Sequence, residues 1–137
     1  MKKFTKTSSQ KEIEGVWTDY EGSSLLIARS DGANQNYDNV LQRLMKPYKS
    51  KMERGKSVSN EVAKKVMTRV TAEAILLDWN KEGHDGEMIL DDDDSPAEYS
   101  IKNATELLTK DKDMRKFVDD FAGDIDNFLN EVEIAKK

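Results

Sequence analysis

The chain has 137 residues, enough for one domain with a single hydrophobic core. It carries 22 basic and 27 acidic side chains, a formal net charge of -5, and this acidic balance disfavours nucleic acid as a partner because proteins that neutralise phosphates carry a basic surplus. Cysteine is absent, which excludes disulfides, thiol nucleophiles and thiolate metal sites. No run of about 18 apolar residues occurs, so the sequence predicts no membrane-spanning helix.

The first folded feature that the sequence predicts is a β-hairpin. Side chains alternate between two faces in residues 16–20, which is the two-residue period of a strand. A second β-favouring run covers residues 24–29, and the intervening Glu21, Gly22 and Ser23 are typical of a turn. Because a lone hairpin is marginally stable in water, we expect it to pack on helices or to join a neighbour's sheet.

Helical spacing follows the hairpin. Apolar side chains recur at three- and four-residue steps in residues 37–45, with Asn36 as the predicted N-cap and Pro47 as the residue that ends the helix. A longer helix is predicted for residues 57–79, and it is apolar on nearly every side over residues 72–79. A helix of that kind either lies in the centre of the core or lies under a partner.

The second half of the chain begins with an acidic loop, predicted for residues 80–98. From Asp78 to Glu98 the sequence holds nine acidic residues and one lysine, and closely spaced like charges favour a solvated loop. A short helix capped by Ser100 is then predicted to end near Thr109, and a final helix is predicted for residues 112–134.

These elements predict an α+β fold that is mainly α, with a short N-terminal hairpin packed on a bundle of about four helices. Residues 1–12 are predicted to be a flexible basic arm, residues 13–134 a single mostly helical domain, and residues 135–137 a tail. The acidic loop at 80–98 interrupts the domain, and residues 46–56 form the one basic cluster inside the sequence.

The apolar stripes of the two longest predicted helices allow two interpretations. They are the core of the domain, or they form an apolar groove that holds the helix of a client protein. The second interpretation predicts that partner contacts are made by Leu76, Trp79, Phe117, Phe121 and Phe128.

A calcium site is the strongest metal hypothesis, and it fails on one residue. Asp78, Asn80, Glu82 and Gly83 match the first, third, fifth and sixth positions of an EF-hand loop. The twelfth position, which needs a bidentate glutamate to complete the coordination sphere, is Ile89. The sequence therefore predicts no metal ligand.

Catalytic machinery is not predicted either. His84 is the single histidine, with neither a second histidine nor a cysteine to form a zinc site. No serine lies in a Gly-x-Ser-x-Gly elbow, and no glycine-rich phosphate loop is present. We therefore expect a protein that is not an enzyme and that uses no cofactor.

Several short segments follow one another in an order that resembles a known family. They are Leu26-Ile-Ala-Arg29, Asn36-Tyr37, Leu41 to Tyr48, Ala74 to Trp79, Asp85-Gly86, Glu98 to Ala104 with Leu107-Leu108, and Phe117 to Phe128. Across about residues 14–130 their order and spacing resemble the tail assembly chaperones of siphovirus-type bacteriophages. The acidic run Asp91–Asp94 departs from the family pattern, in which the Asp-Gly turn leads directly to the Tyr-Ser helix start.

The resemblance implies a chaperone that acts before the phage tail is assembled. Such a protein binds the long hydrophobic tape measure protein, keeps it soluble and helps to recruit tail tube subunits. The expected partners are therefore the tape measure and tail tube proteins, with a second copy of the chain as a further candidate and with no nucleic acid or membrane. The expected location is the host cytoplasm.

Two alternatives from other classes remain open at this stage. One is a structural virion protein, a minor neck, tail or capsid-associated component, whose charged tails are held by neighbouring subunits. The other is a calcium-binding regulator built on the partial EF-hand match at Asp78.

Overall fold

The computed structural model of the chain describes residues 5–137, and it confirms the predicted fold class, α+β and mainly α. The three strands are β1, Val16–Tyr20; β2, Ser23–Ile27; and β3, Leu76–Trp79. The α-helices are α1, Ser9–Glu14; α2, Gln35–Met45; α3, Lys49–Glu53; α4, Asn60–Val70; α5, Ile101–Lys110; α6, Lys112–Gly123; and α7, Glu131–Ala135. Lys46–Tyr48 and Ile125–Phe128 are 3-10 turns, and Thr71–Ile75 is a π-helical turn. No helix in the described part of the chain has the length and hydropathy needed to cross a membrane.

The predicted hairpin is confirmed. Strands β1 and β2 pair antiparallel in a register that leaves Glu21 and Gly22 as a two-residue turn. Both residues have positive φ, 49° and 91°, which is the type I′ geometry that matches the twist of the strands. Glycine adopts this conformation at little cost, and a carboxylate oxygen of Asp19 accepts a hydrogen bond of 3.1 Å from the Gly22 amide.

A third strand corrects the helix that was predicted for residues 57–79. Helix α4 begins after Ser59, whose hydroxyl caps it, and the chain leaves helical geometry after the π-helical turn. Strand β3 then pairs antiparallel with β2, so that Trp79 lies opposite Leu25. A short run that is apolar on every side is compatible with a buried strand as well as with a buried helix, and periodicity alone does not separate the two.

The C-terminal helix predicted for residues 112–134 is also interrupted. Helix α6 ends at Gly123, and the Asp124 carboxylate accepts a hydrogen bond of 3.0 Å from the Asp126 amide. Asn130 then starts α7 by accepting a hydrogen bond from the Glu133 amide at 2.9 Å. Short polar side chains compete in this way with helical hydrogen bonds, so one predicted helix becomes three shorter elements.

The predicted basic arm, residues 1–12, contains the first four residues of α1, and residues 6–8 run along the C-terminal segment. Ser8 caps α1, and its own amide donates to the Phe128 carbonyl at 2.8 Å. The Asn130 amide donates to the Lys6 carbonyl at 2.9 Å. Hydrogen bonds to the C-terminal segment of the same chain therefore hold the backbone of this part of the arm. The rest of the predicted arm, residues 1–4, lies outside the described residues.

The core has two parts. The larger part lies between the inner face of the sheet and helices α5 and α6, and its fully buried members include Leu25, Ile27, Leu76, Leu108 and Val118. The smaller part lies between α2 and α4 and consists of Val40, Val66, Val70 and Ala74. The predicted end of α2 at Met45 is confirmed, and Pro47 lies in the 3-10 turn that follows.

A buried polar cluster holds α1 and α2 against the sheet. The Glu12 side chain is only 4% exposed, and its carboxylate forms an ion pair with Arg29, which follows β2. Asn34, and not the predicted Asn36, is the residue that precedes α2. Its side-chain amide is buried and donates to the carbonyls of Arg29 and Ala74 at 2.7 and 3.1 Å, so it links the end of the hairpin to the π-helical turn.

Tyr99 gives the fold a measurable pH dependence. Its hydroxyl contacts the carbonyl oxygens of Ala72 and Leu76 at 3.1 and 2.5 Å, and burial raises its pKa from 10.0 to about 12. The unfolded chain therefore releases this proton at lower pH than the folded chain, so stability that is complete below pH 10 is lost as the pH rises toward about 12. We expect the free energy of unfolding of Tyr99→Phe to fall less than that of the wild type across this window, as measured by urea denaturation at a series of pH values.

Candidate functional site

Of the five residues predicted to contact a partner, three are buried in the core and two are partly buried against it. Leu76 and Phe128 are 0% exposed and Trp79 is 3% exposed, while Phe117 and Phe121 are partly buried against the same cluster. A client cannot reach the first three in this conformation. The packing therefore supports the core interpretation of the apolar stripes, because the side of α6 that carries the aromatic rings faces the sheet and the chain's own C-terminal segment.

The aromatic rings of this cluster form a continuous row. The ring centroids of Tyr20 and Phe117 are 4.8 Å apart, those of Phe117 and Phe121 are 6.2 Å apart, and those of Phe121 and Phe128 are 5.9 Å apart. These are ordinary distances for tilted and edge-to-face pairs in a protein interior. The row therefore stabilises the contact of α6 with the hairpin and with the C-terminal turn.

The residues of the partial EF-hand match form hydrogen bonds that hold the loop in place. The Asp78 carboxylate accepts a hydrogen bond from the Trp79 amide at 2.8 Å, so it is engaged with its own backbone. The Asn80 side chain donates to the Ile89 carbonyl and accepts from the Ile89 amide, at 3.0 and 2.7 Å. In residues 5–137 no group of three or more acidic, histidine or cysteine side chains is placed to hold a metal ion.

His84 also has a local structural contact. Its Nε2 atom lies 3.1 Å from the Gly22 carbonyl oxygen and 3.8 Å from an Asp19 carboxylate oxygen. The side chain thereby connects the acidic loop to the hairpin turn. No nucleophilic side chain is among these contacts.

One surface that is open to a partner is a methionine-lined groove between α2 and α3. We use this name for the cavity of about 910 Å³ that is lined by Asn39, Gln42, Met45, Lys46, Lys49 and Met52, together with Arg43 and Glu53. Asn39, Gln42, Arg43 and Lys46 follow the three- and four-residue spacing of one face of α2 and the turn after it. Pro47 stops α2, and the 3-10 turn brings α3 beside that face.

The floor of the groove combines an anchored methionine with an exposed one. Met45 is partly buried and packs against the smaller core cluster, whereas the Met52 side chain is 48% exposed. A methionine side chain is unbranched and polarisable, so it adapts to apolar partners of different shape. This floor can therefore accept an apolar side chain without a fixed complementary pocket.

The rim of the groove is positively charged. Its lining residues include Arg43, Lys46 and Lys49, with Glu53 as the acidic member. Arg43 forms an ion pair with Glu73 at 2.5 Å, and Arg69 contacts the same carboxylate at 3.2 Å. The hydrogen bond from Arg43 lowers the pKa of Glu73 below its usual range, so this carboxylate is ionised at neutral pH and holds Arg43 in place.

Only part of this groove is visible in the sequence. The basic run 46–56 and the end of α2 at Pro47 are visible in the sequence, but Met45 is simply one more member of an apolar stripe. Met52 lies among charged residues and has no periodic partner. The return of α3 toward α2 is what makes these side chains neighbours.

Comparison with known proteins gives one family. The family model described as YdaY prophage protein matches residues 32–137, which cover most of the chain from just before α2 to the last residue. The match includes β3 and the whole groove and leaves out α1, β1 and β2. No curated protein matches the chain, and no solved structure does.

Proposed function

The chain belongs to the YdaY prophage protein family and is therefore of phage origin, and on that premise we propose that it is a tail assembly chaperone. In this role it binds the tape measure protein, keeps it soluble and helps to recruit tail tube subunits. The observation that carries the proposal is the methionine-lined groove, which combines the apolar side chains of Met45 and Met52 with basic side chains on a protein whose net charge is -5. The order of the short segments between Leu26 and Phe128, which resembles tail assembly chaperones, supports the same role.

The groove suits an amphipathic helix as its ligand. A helix that places apolar side chains at three- and four-residue steps presents a stripe, and a shallow groove binds such a stripe by its anchors. The exposed, unbranched side chain of Met52, next to the anchored Met45, allows successive segments of a long client to bind at one site. Lys46 and Lys49 at the rim favour segments that carry acidic residues beside the apolar stripe.

The client site proposed here replaces the one that the sequence suggested. Three of the residues suggested by the sequence are buried in the core, so a client could reach them only if the domain unfolded: Leu76, Trp79 and Phe128. Met52 is exposed and belongs to a short helix, α3, that the fold holds at the surface. Client binding at the groove therefore leaves the core intact, which a reusable chaperone requires.

Co-expression with the tape measure protein of the same prophage tests the proposal. We expect the wild-type chain to raise the soluble yield of the tape measure protein, and we expect Met52→Glu combined with Lys49→Glu to abolish the increase, because both changes oppose an apolar, acidic client. The matched control is Met88→Glu, which alters a methionine of similar exposure, 41%, in the acidic loop. An unchanged soluble yield with the wild-type chain, or equal loss with the control, contradicts the proposal.

The alternative, a structural virion protein, makes a different prediction. It rested on charged tails that need neighbours to become ordered, but residues 6 and 8 pair with the C-terminal segment of the same chain. Mass spectrometry of purified particles separates the two functions. A chaperone that leaves after assembly is absent from the particles, whereas stoichiometric presence contradicts the chaperone proposal.

A further inference from the structure

A second basic surface lies on the other side of α4, and the sequence pattern does not reveal it. We call it the lysine cleft, a cavity of about 540 Å³ between α4 and the junction of α5 with α6. Its basic members are Lys64 and Lys65 on α4 with Lys112, Arg115 and Lys116 on α6. The floor contains the buried side chains of Thr68 and Leu108. Two helical faces that are distant in sequence thus place five cations around one depression.

Three of these cations have no acidic partner among residues 5–137. Arg115 pairs with Asp119 at 3.6 Å, and Lys116 pairs with Asp120 at 2.7 Å, each within α6. Within the described residues no carboxylate lies within 4.0 Å of the ammonium groups of Lys64, Lys65 or Lys112, although Glu61 lines the same cleft. The cleft therefore carries a local positive charge on a protein whose net charge is -5.

A surface of opposite charge lies at the tip of the acidic loop. Residues 91–95 form a closed turn, in which the Asp91 amide donates to the Ser95 carbonyl at 2.8 Å and Leu90 bridges to Pro96. One Asp91 carboxylate oxygen accepts hydrogen bonds from the amides of Asp93 and Ser95, at 2.9 and 3.0 Å. The turn thus presents the carboxylates of residues 92–94 in one compact group, and the neighbouring Leu90 side chain is 51% exposed. We call this group the acidic turn.

The acidic turn does not occupy the cleft of its own chain. It precedes α5, whereas the cleft lies at the far end of this ten-residue helix, which is about 15 Å long. The two ends of the loop are also tied to the sheet region, because the Glu87 amide donates to the Gly22 carbonyl and the Trp79 indole donates to the Ala97 carbonyl, each at 2.9 Å. Reaching the cleft of the same chain would require these contacts to break.

We propose that the lysine cleft binds the acidic turn of a second copy of this chain. Lys64, Lys65 and Lys112 then face the carboxylates of residues 92–94, and Leu90 covers the apolar stems and floor of the cleft. The contact is head-to-tail because the lysine cleft of one copy binds a different surface, the acidic turn, of the next copy. An open assembly of this kind has one unoccupied cleft at one end and one unoccupied turn at the other. The proposal is independent of client binding at the methionine-lined groove.

Sedimentation velocity of the full-length chain tests the proposal with two neutralised variants. The cleft variant is Lys64→Gln, Lys65→Gln and Lys112→Gln, and the turn variant is Asp92→Asn, Asp93→Asn and Asp94→Asn. Asparagine is chosen for the turn because Asp94 has a positive φ of 59°, which asparagine tolerates. We expect the wild type to self-associate at low ionic strength, with weakening by salt, and each variant alone to associate about tenfold more weakly.

The mixture of the two variants gives the decisive result. The cleft variant retains an acidic turn and the turn variant retains a basic cleft, so a mixture is expected to form a one-to-one dimer and nothing larger. The matched control, Lys51→Gln, Arg54→Gln and Lys56→Gln, removes the same charge outside the cleft and is expected to associate like the wild type.

Four outcomes overturn the proposal. The wild type stays monomeric at low salt, only one of the two variants loses association, the mixture stays monomeric, or the control behaves like the cleft variant. If the wild type does not self-associate but binds a short single-stranded DNA, and the cleft variant binds that DNA more weakly, the cleft is a nucleic-acid site instead. Unchanged thermal unfolding of each variant shows that its effect is not a loss of folding.

Discussion

Replacing Phe128 by alanine is expected to lower the free energy of unfolding by about 3–5 kcal/mol, which is the usual cost of removing a buried phenylalanine ring. Phe128 is 0% exposed and packs edge-to-face against Phe121. Its carbonyl also accepts a hydrogen bond from the Ser8 amide, so a shift of the Phe128 backbone would weaken the contact between the N-terminal and C-terminal segments. Urea denaturation followed by circular dichroism measures the loss.

The prediction separates the two interpretations of the aromatic stripe. Val132→Ala serves as the control because Val132 is close in sequence but 65% exposed, and we expect it to change stability by less than about 0.5 kcal/mol. If Phe128→Ala instead left stability unchanged and abolished client binding, Phe128 would belong to a client surface and the core assignment would be wrong.

Replacing Glu12 by glutamine is expected to destabilise the domain by about 3 kcal/mol, because breaking one side of a buried ion pair leaves the other charge without compensation. Glu12 is almost completely buried, and the Arg29 side chain that it contacts is 18% exposed. Gly32 packs so closely on this pair that a side chain there would collide with the Glu12 carboxylate. The site therefore has little room to rearrange around an unpaired guanidinium.

Two further variants make the ion-pair prediction specific. Glu14→Gln alters an exposed glutamate of the same helix and is expected to be nearly neutral. The double variant Glu12→Gln, Arg29→Met removes both charges and is expected to recover most of the lost stability, since the unpaired charge is the main source of the cost. Equal stability of Glu12→Gln and Glu14→Gln, in the same denaturation experiment, would contradict the role given to the pair.

Local signals in the sequence were sufficient for several elements. Gly22 predicts the hairpin turn because a two-residue turn of this type needs positive φ, and Pro47 predicts the end of α2 because proline lacks the amide and fixes φ. Ser100 predicts the start of α5, where its hydroxyl accepts a hydrogen bond of 3.0 Å from the Asn103 amide. In each case the residue acts on neighbours within four positions of the chain.

Other elements depended on partners that are distant in sequence. Strand β3 exists because β2 offers its edge to Leu76 and Trp79, and no residue near them specifies a strand over a helix. Helix α1 likewise begins in a segment whose composition predicts a mobile arm, and the backbone of residues 6 and 8, just before it, pairs with Asn130 and Phe128 at the other end of the chain. Hydrogen bonds between distant segments override local preference when they satisfy backbone groups that would otherwise be unpaired.

The sequence by itself determined the composition-level properties of this protein: its acidic charge, its lack of cysteine, its mainly helical fold class and the turns and caps that local chemistry dictates. Only the tertiary structure decided which apolar side chains are core and which are surface, because an apolar stripe has the same spacing in both cases. It placed Phe128 inside and left Met52 outside. It also gathered the lysines of α4 and α6 into one cleft, since side chains far apart in sequence become neighbours only when helices pack.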